Sequence, residues 1–144
     1  MKKPISKLCF LLVPMLFLFN SCDKEETRLE IITQSPWNLT DISYKLPSEN
    51  TWNPSGSTCN YDDVWEFTSN SITIYNGTNL CQSQNSTVSS LSDFRLVAGD
   101  SKIVYTISGY DYEEDIVELT NNILITSYAR NDVNNTQGRR TFER

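Results

Sequence analysis

VWEFTSNSITIYNG, residues 64–77, decides the fold. Val64-Trp65-Glu66-Phe67-Thr68 alternates apolar and polar residues, which puts Trp65 and Phe67 on one face of an extended strand. Ser69-Asn70 makes a tight turn, and Ser71-Ile72-Thr73-Ile74-Tyr75 repeats the alternation through Ile72 and Ile74. Asn76-Gly77, a pair suited to positive φ, closes the second strand. One antiparallel hairpin with a single apolar face follows.

The same grammar runs outward in both directions. Toward the N-terminus, Trp37 to Tyr44 reads as a first strand. Toward the C-terminus, Phe94 to Val97, Ile103 to Ile107, Ile116 to Leu119, Ile123 to Tyr128 and Thr136 to Phe142 read as further strands. Ala98 to Ser101 and Asn121-Asn122 supply turns between them, and Asn76 to Ser92 is a patch rich in Asn and Ser. No amphipathic helix interrupts the series. About eight short strands in about 110 residues make one all-β domain over 35–144, and such a meander closes most naturally into a small antiparallel up-and-down β-barrel, because closure removes exposed edges.

The N-terminal end of the chain carries a different message. MKKPISK holds Lys2, Lys3 and Lys7, and Leu8 to Phe19 follow as an apolar run broken only by Pro14. A membrane-spanning helix takes about 20 such residues, so this run matches a secretory signal better than a span. Ser21-Cys22 ends it, with Phe19 and Asn20 just before. The order resembles the lipobox of bacterial lipoproteins, and the resemblance implies cleavage after residue 21 and acyl chains on Cys22. An ordinary secretory signal with an incidental cysteine is the alternative. Asp23-Lys24-Glu25-Glu26 resembles the export signal of Bacteroidetes-type surface lipoproteins, which implies an outer-membrane lipoprotein exposed at the cell surface. Residues 22–34 then read as the lipidated cysteine and a solvated polar tether.

Twelve Lys and Arg stand against eighteen Asp and Glu; three of the basic residues and none of the acidic ones precede Cys22, so the chain from Cys22 onward carries −9. Nucleic-acid binding needs a basic footprint, and Arg139-Arg140 is the only adjacent basic pair in that part. Cys59 and Cys81 remain as an even pair in an exported protein and read as a disulfide, whose loop of about 23 residues stabilises by about 3 kcal/mol.

Four features in order resemble the lipocalin-like domains of Bacteroidetes lipoproteins: Pro36-Trp37-Asn38-Leu39 on the first strand, Cys59 before the Asp62-Asp63-x-Trp65-x-Phe67 strand, Cys81 after the next strand, and the Thr-, Ile- and Leu-rich hairpin from Val117 to Thr126. The resemblance implies a lipocalin-like barrel. In lipocalins the first-strand tryptophan follows a glycine and lies under a basic residue of the last strand. Here Ser35-Pro36 replaces the glycine's surroundings, and Arg139 or Arg140 is the expected cation over Trp37, which otherwise is plain core.

Chemistry is sparse. Histidine is absent, which removes the commonest general base and zinc ligand, and no nucleophile elbow, phosphate loop or dinucleotide fingerprint is present. Asp62-Asp63 and the cluster Asp111, Glu113, Glu114, Asp115 read as solvated loop charges rather than a catalytic pair. Asp132, Asn134, Thr136 and Glu143 fall near calcium-loop spacing, but Gln137 stands where the loop needs glycine. No catalytic residue, metal or cofactor is expected.

What remains is binding, by a monomer held to a membrane through its lipid. Trp65, Phe67, Ile72, Ile74, Ile103, Tyr105 and Ile107 point inward together, either lining a pocket for a small hydrophobic ligand or filling the barrel as core. Trp52, among Pro, Ser and Asn between Pro47 and Thr58, is a recognition tip for an envelope protein or glycan, a lid, or a plug in the barrel end.

Overall fold

A computed structural model describes residues 26–55, 58–78, 88–130 and 135–144. The expected signal segment, Cys22, Cys81, Asp132 and Asn134 lie outside these residues. The strands are β1 (Trp37–Lys45), β2 (Asn53–Pro54), β3 (Val64–Phe67), β4 (Ser71–Tyr75), β5 (Val88–Val97), β6 (Lys102–Ile107), β7 (Tyr110–Leu119), β8 (Ile123–Ala129) and β9 (Gln137–Glu143). From β3 to β9 each pairs antiparallel with the next, and β1 pairs with both β3 and β9. That closes an eight-strand up-and-down barrel, as the alternation predicts. β2 is an addition. β3 meets β1 only at Trp37 and Asn38, and β2 takes over the same edge at Ser43 and Tyr44.

The registers give the barrel two unlike ends. Trp37, Phe67, Val97, Lys102, Leu119, Ile123 and Glu143 lie toward one end, the floor; Lys45, Tyr75, Val88, Ile107, Tyr110, Ala129 and Gln137 lie toward the other, the rim. Interior residues of the floor half are packed solid. Phe67 meets Phe94 edge-on at 5.3 Å and Trp65 meets Phe142 at 5.2 Å, with Leu39, Ile72, Ile103 and Leu124 filling between them. Each such side chain, taken out of water, contributes about 1.5–3 kcal/mol, so the floor carries much of the stability.

A helix seals the floor, against expectation. Residues 28–33 fall in the expected polar tether yet form α1 (Arg28–Thr33). The reason is a capping box: Glu30 N donates to Thr27 Oγ1 at 3.2 Å, and Thr27 N donates to Glu30 Oε2 at 2.8 Å. Ile32 then enters the core completely buried. α1 is the first element among the described residues.

The cation over Trp37 is also a different one. Arg144 lies 3.8 Å from the ring, not Arg139 or Arg140. Register explains it: Arg139 and Arg140 pair with Ser43 and Ile42 toward the rim, whereas Arg144 follows Glu143, the partner of Asn38 at the floor. Trp37 donates its indole N–H to Ile32 O at 2.9 Å. Arg144 donates to Ile31 O, Ser35 O, Gln34 Oε1 and Asn121 O, tying the helix end to the last strand.

Cys59 is buried in a single 3-10 turn, Thr58–Asn60, which leads into β3. Asp63 behind it is buried too; its carbonyl accepts from Leu39 N at 3.0 Å and its Oδ1 from Gly77 N at 3.2 Å. Gly77 is not at positive φ, the reason the sequence suggests for it. It is required by close approach: a Cβ there would stand 1.9 Å from Asp62 Cγ. Burial raises the Asp63 pKa above the ordinary carboxylate range, the Gly77 N–H opposes this, and the Asp62 charge adds to it.

Two strands run further than their apolar cores suggest. β5 begins at Val88, inside the Asn/Ser-rich patch, and β7 begins at Tyr110, so Asp111 to Asp115 are strand residues rather than loop charges. Arg95 pairs with Asp111 at 2.7 Å and Lys102 with Glu113 at 3.2 Å across the outer face, which steadies an acidic strand.

Candidate functional site

The rim half of the interior is built by the hairpin β6–β7. Ser108 and Gly109 form its turn with φ of 53° and 84°, the two positive values a tight hairpin asks for. That turn fixes Ile107 opposite Tyr110, Tyr105 opposite Tyr112 and Ile103 opposite Glu114. Since Ile103 and Tyr105 face inward, so do Tyr112 and Glu114. On the two adjoining strands, Thr126 of β8 pairs with Arg140 of β9, and Tyr128 with Gly138.

Glu114 is the centre of a closed set of contacts. Its Oε1 accepts from Tyr105 OH at 2.6 Å and from Arg140 Nη1, and its Oε2 accepts from Thr126 Oγ1 at 2.5 Å. The residue is only 3% exposed. Arg140 lies over the Tyr128 ring at 4.3 Å and over Trp65 at 5.4 Å. Burial works against the Arg140 charge, but the Glu114 carboxylate outweighs it and holds the guanidinium above its ordinary pKa. Burial, and then Glu114, push the Tyr105 hydroxyl well above its ordinary value, so it remains a donor throughout the physiological range. Separate burial of either charge would be costly; together, with two hydroxyl donors, they are sustained.

Above this pair lies a cavity of about 730 Å³, walled by Tyr105, Ile107, Tyr112, Tyr128 and Arg140, with Arg130 at its edge. The Tyr105 and Tyr112 rings stack at 6.0 Å and 10°. Toward the rim the lining meets solvent: Ile107 is 36%, Tyr112 43% and Tyr110 72% exposed. Tyr128 lies against the bare Cα of Gly138, where a Cβ would come within 2.3 Å of the ring. The arrangement gives aromatic walls, an open end and a polar base, suited to holding a small molecule that is apolar along its body and polar at one end.

The inward residues expected from the sequence divide between two places. Trp65, Phe67 and Ile72 are 7%, 4% and 0% exposed and, with Ile103, pack the core below the cavity; Ile74 packs against that core. They do not line the cavity. Tyr105 and Ile107 do. Trp52 neither projects as a tip nor plugs the barrel. It lies on the outer wall between Arg139 at 4.8 Å and Lys45 at 5.2 Å, because β2 folds the loop back along β1. Cys59 has its place near β3, and Cys81 lies outside the described residues. Among the described residues no group of three His, Cys, Asp or Glu could hold a metal ion, and no helix is long and apolar enough to cross a membrane.

Glu114, Thr126, Tyr112 and Tyr128 are the site residues that the apolar pattern passes over. The signal was present: Tyr110, Tyr112, Glu114 and Ile116 share one parity, so Glu114 occupies an interior position in a row otherwise aromatic and aliphatic. Comparison of the chain with protein-family models, curated proteins and solved structures finds no match.

Proposed function

We propose that this chain is a lipid-anchored binding protein of the bacterial envelope, attached through Cys22 to the outer membrane and exposed at the cell surface, whose barrel mouth holds a small hydrophobic or amphipathic ligand without converting it. The cavity over Glu114 and Arg140 is the observation that carries the binding role. Its volume falls within the range of about 300–1,000 Å³ that small-molecule sites occupy. The anchor rests on the Ser21-Cys22 order and the charges behind it. A disulfide between Cys59 and Cys81 belongs to the same reading and would brace the start of β3. An interaction module using Trp52 draws less support, since Lys45 and Arg139 already flank that ring.

The test is the intact mass of the protein extracted from its native membrane with its lipids preserved. A chain beginning at Cys22 with acyl additions, two hydrogens lighter for the bridge, and a retained small molecule that is absent from Ile107→Glu, is the expected result. An unacylated chain starting elsewhere would overturn the anchor. A ligand retained equally by Ile107→Glu would place binding outside the mouth.

A further inference from the structure

The cavity is unbalanced in its hydrogen-bonding groups, and the imbalance points to a ligand class. Its buried carboxylate is spent: Glu114 Oε1 already accepts from Tyr105 and Arg140, and Oε2 from Thr126. Asp111 and Glu113 also border the cavity, but their carboxylates are engaged, Asp111 with Arg95 and Glu113 with Lys102. Donors, in contrast, are left over. Arg140 uses only Nη1, and its Nε and Nη2 meet no partner among the described residues although the side chain, 20% exposed, lines the cavity. The Tyr128 hydroxyl is likewise without a partner among them. Beneath Arg140 the Trp65 indole N–H is buried and has no acceptor among the described residues. A second guanidinium, Arg130, stands at the edge, where it lies over the Tyr44 ring and donates to Ser55 Oγ at 3.4 Å, so it is not among the spare donors. The donors left over on Arg140 and Tyr128 suit a group that brings acceptor atoms and negative charge.

Building on the binding role proposed above, we infer that the ligand is an organic anion: a flat apolar body lying along Tyr105, Tyr112 and Tyr128, ending in a carboxylate or sulfonate received by the free edge of Arg140. The chain as a whole carries −6. Steering from a distance is therefore weak, and recognition is local, by charge-assisted hydrogen bonds.

Two near-isosteric probes separate charge from shape: 1-naphthaleneacetate and its uncharged amide, 1-naphthaleneacetamide. Each is titrated into the full chain while the three tryptophan indole N–H resonances are followed by NMR. Trp65 lies under the site, while Trp37 at the floor and Trp52 on the outer wall serve as internal controls. The expected result is movement of Trp65 alone, with the acetate binding roughly tenfold more tightly than the amide, the scale of one charge-assisted contact. That preference should vanish in Arg140→Met, and also in Glu114→Gln/Arg140→Met, which removes both charges together and leaves none buried without its partner. Equal binding of the two probes, or a preference that survives the double substitution, would overturn the anion assignment and leave the binding role standing. No movement of Trp65 with either probe would overturn both.

Discussion

Glu114 and Arg140 show how differently one residue weighs when its partner is kept or removed. Glu114 is 4% exposed at its side chain and Arg140 20%, so truncating either leaves a charge with little water to receive it. Glu114→Gln or Arg140→Met alone should cost about 3–5 kcal/mol, and the two together clearly less than the sum. Urea denaturation of the four proteins of this cycle measures it, and strict additivity would mean that the pair is not coupled. Asp63 makes a prediction about pH. Its folded pKa is raised, burial being the largest cause, so the folded chain takes up a proton there more readily than the unfolded one. The stability this site contributes is present at acid pH and is lost as pH rises from about 4 through the folded value. Asp63→Asn, which keeps an acceptor for Gly77 N–H, should compare more favourably with the natural chain at pH 7 than at pH 3.5. Denaturation midpoints at those two pH values check the sign; no difference would mean that Asp63 ionises as freely folded as unfolded.

At the scale of elements, the floor is a clasp made from the two ends of the described chain. Arg144 reaches back to α1 and lies on Trp37, so Arg144→Ala removes a cation–π contact and several hydrogen bonds at once. About 2 kcal/mol of lost stability is expected, with faster amide exchange confined to Ile31–Gln34 and Asn122. Uniformly faster exchange would mean that the clasp is part of the global core. The strands themselves were legible in the sequence wherever period-two alternation fell on apolar residues, as in β3, β4, β6 and β8. Legibility failed where the alternation continued in polar residues. β7 carries Asp111, Glu113 and Asp115 outward and is held by cross-strand cations that are distant in sequence. α1 is six residues long, too short for helical periodicity, and only its Thr27/Glu30 cap announced it. For the site, Tyr105 and Ile107 were readable as inward. Arg140's role was not, because it depends on which strand β9 faces and on a register shift between Ile116 and Glu118.

For the whole molecule, the proposed lipidation site leads into the floor, the end away from the mouth. Cys22 precedes Thr27 by five residues, a reach of at most about 18 Å, and Thr27 enters α1 at the floor. A lipid on Cys22 would hold the floor toward the bilayer and turn the rim to the surrounding water. With nitroxide-labelled lipids in vesicles, the amide of Asn122 at the floor should broaden and that of Gly109 at the rim should not; the reverse pattern would mean that the barrel lies mouth-down. In the proposed binding role the filled floor and the hollow rim would divide stability from recognition, and Gly138 stands in the rim half, next to Gln137. Tyr128 rests on its bare Cα, and a methyl added there would come within 2.3 Å of the ring. The ring would have to swing inward. If the mouth takes a ligand as proposed, Gly138 is its gauge: a hydrogen atom on the main chain sets the breadth of molecule admitted, and Gly138→Ala should narrow that breadth to slimmer guests while leaving the packed floor as it is.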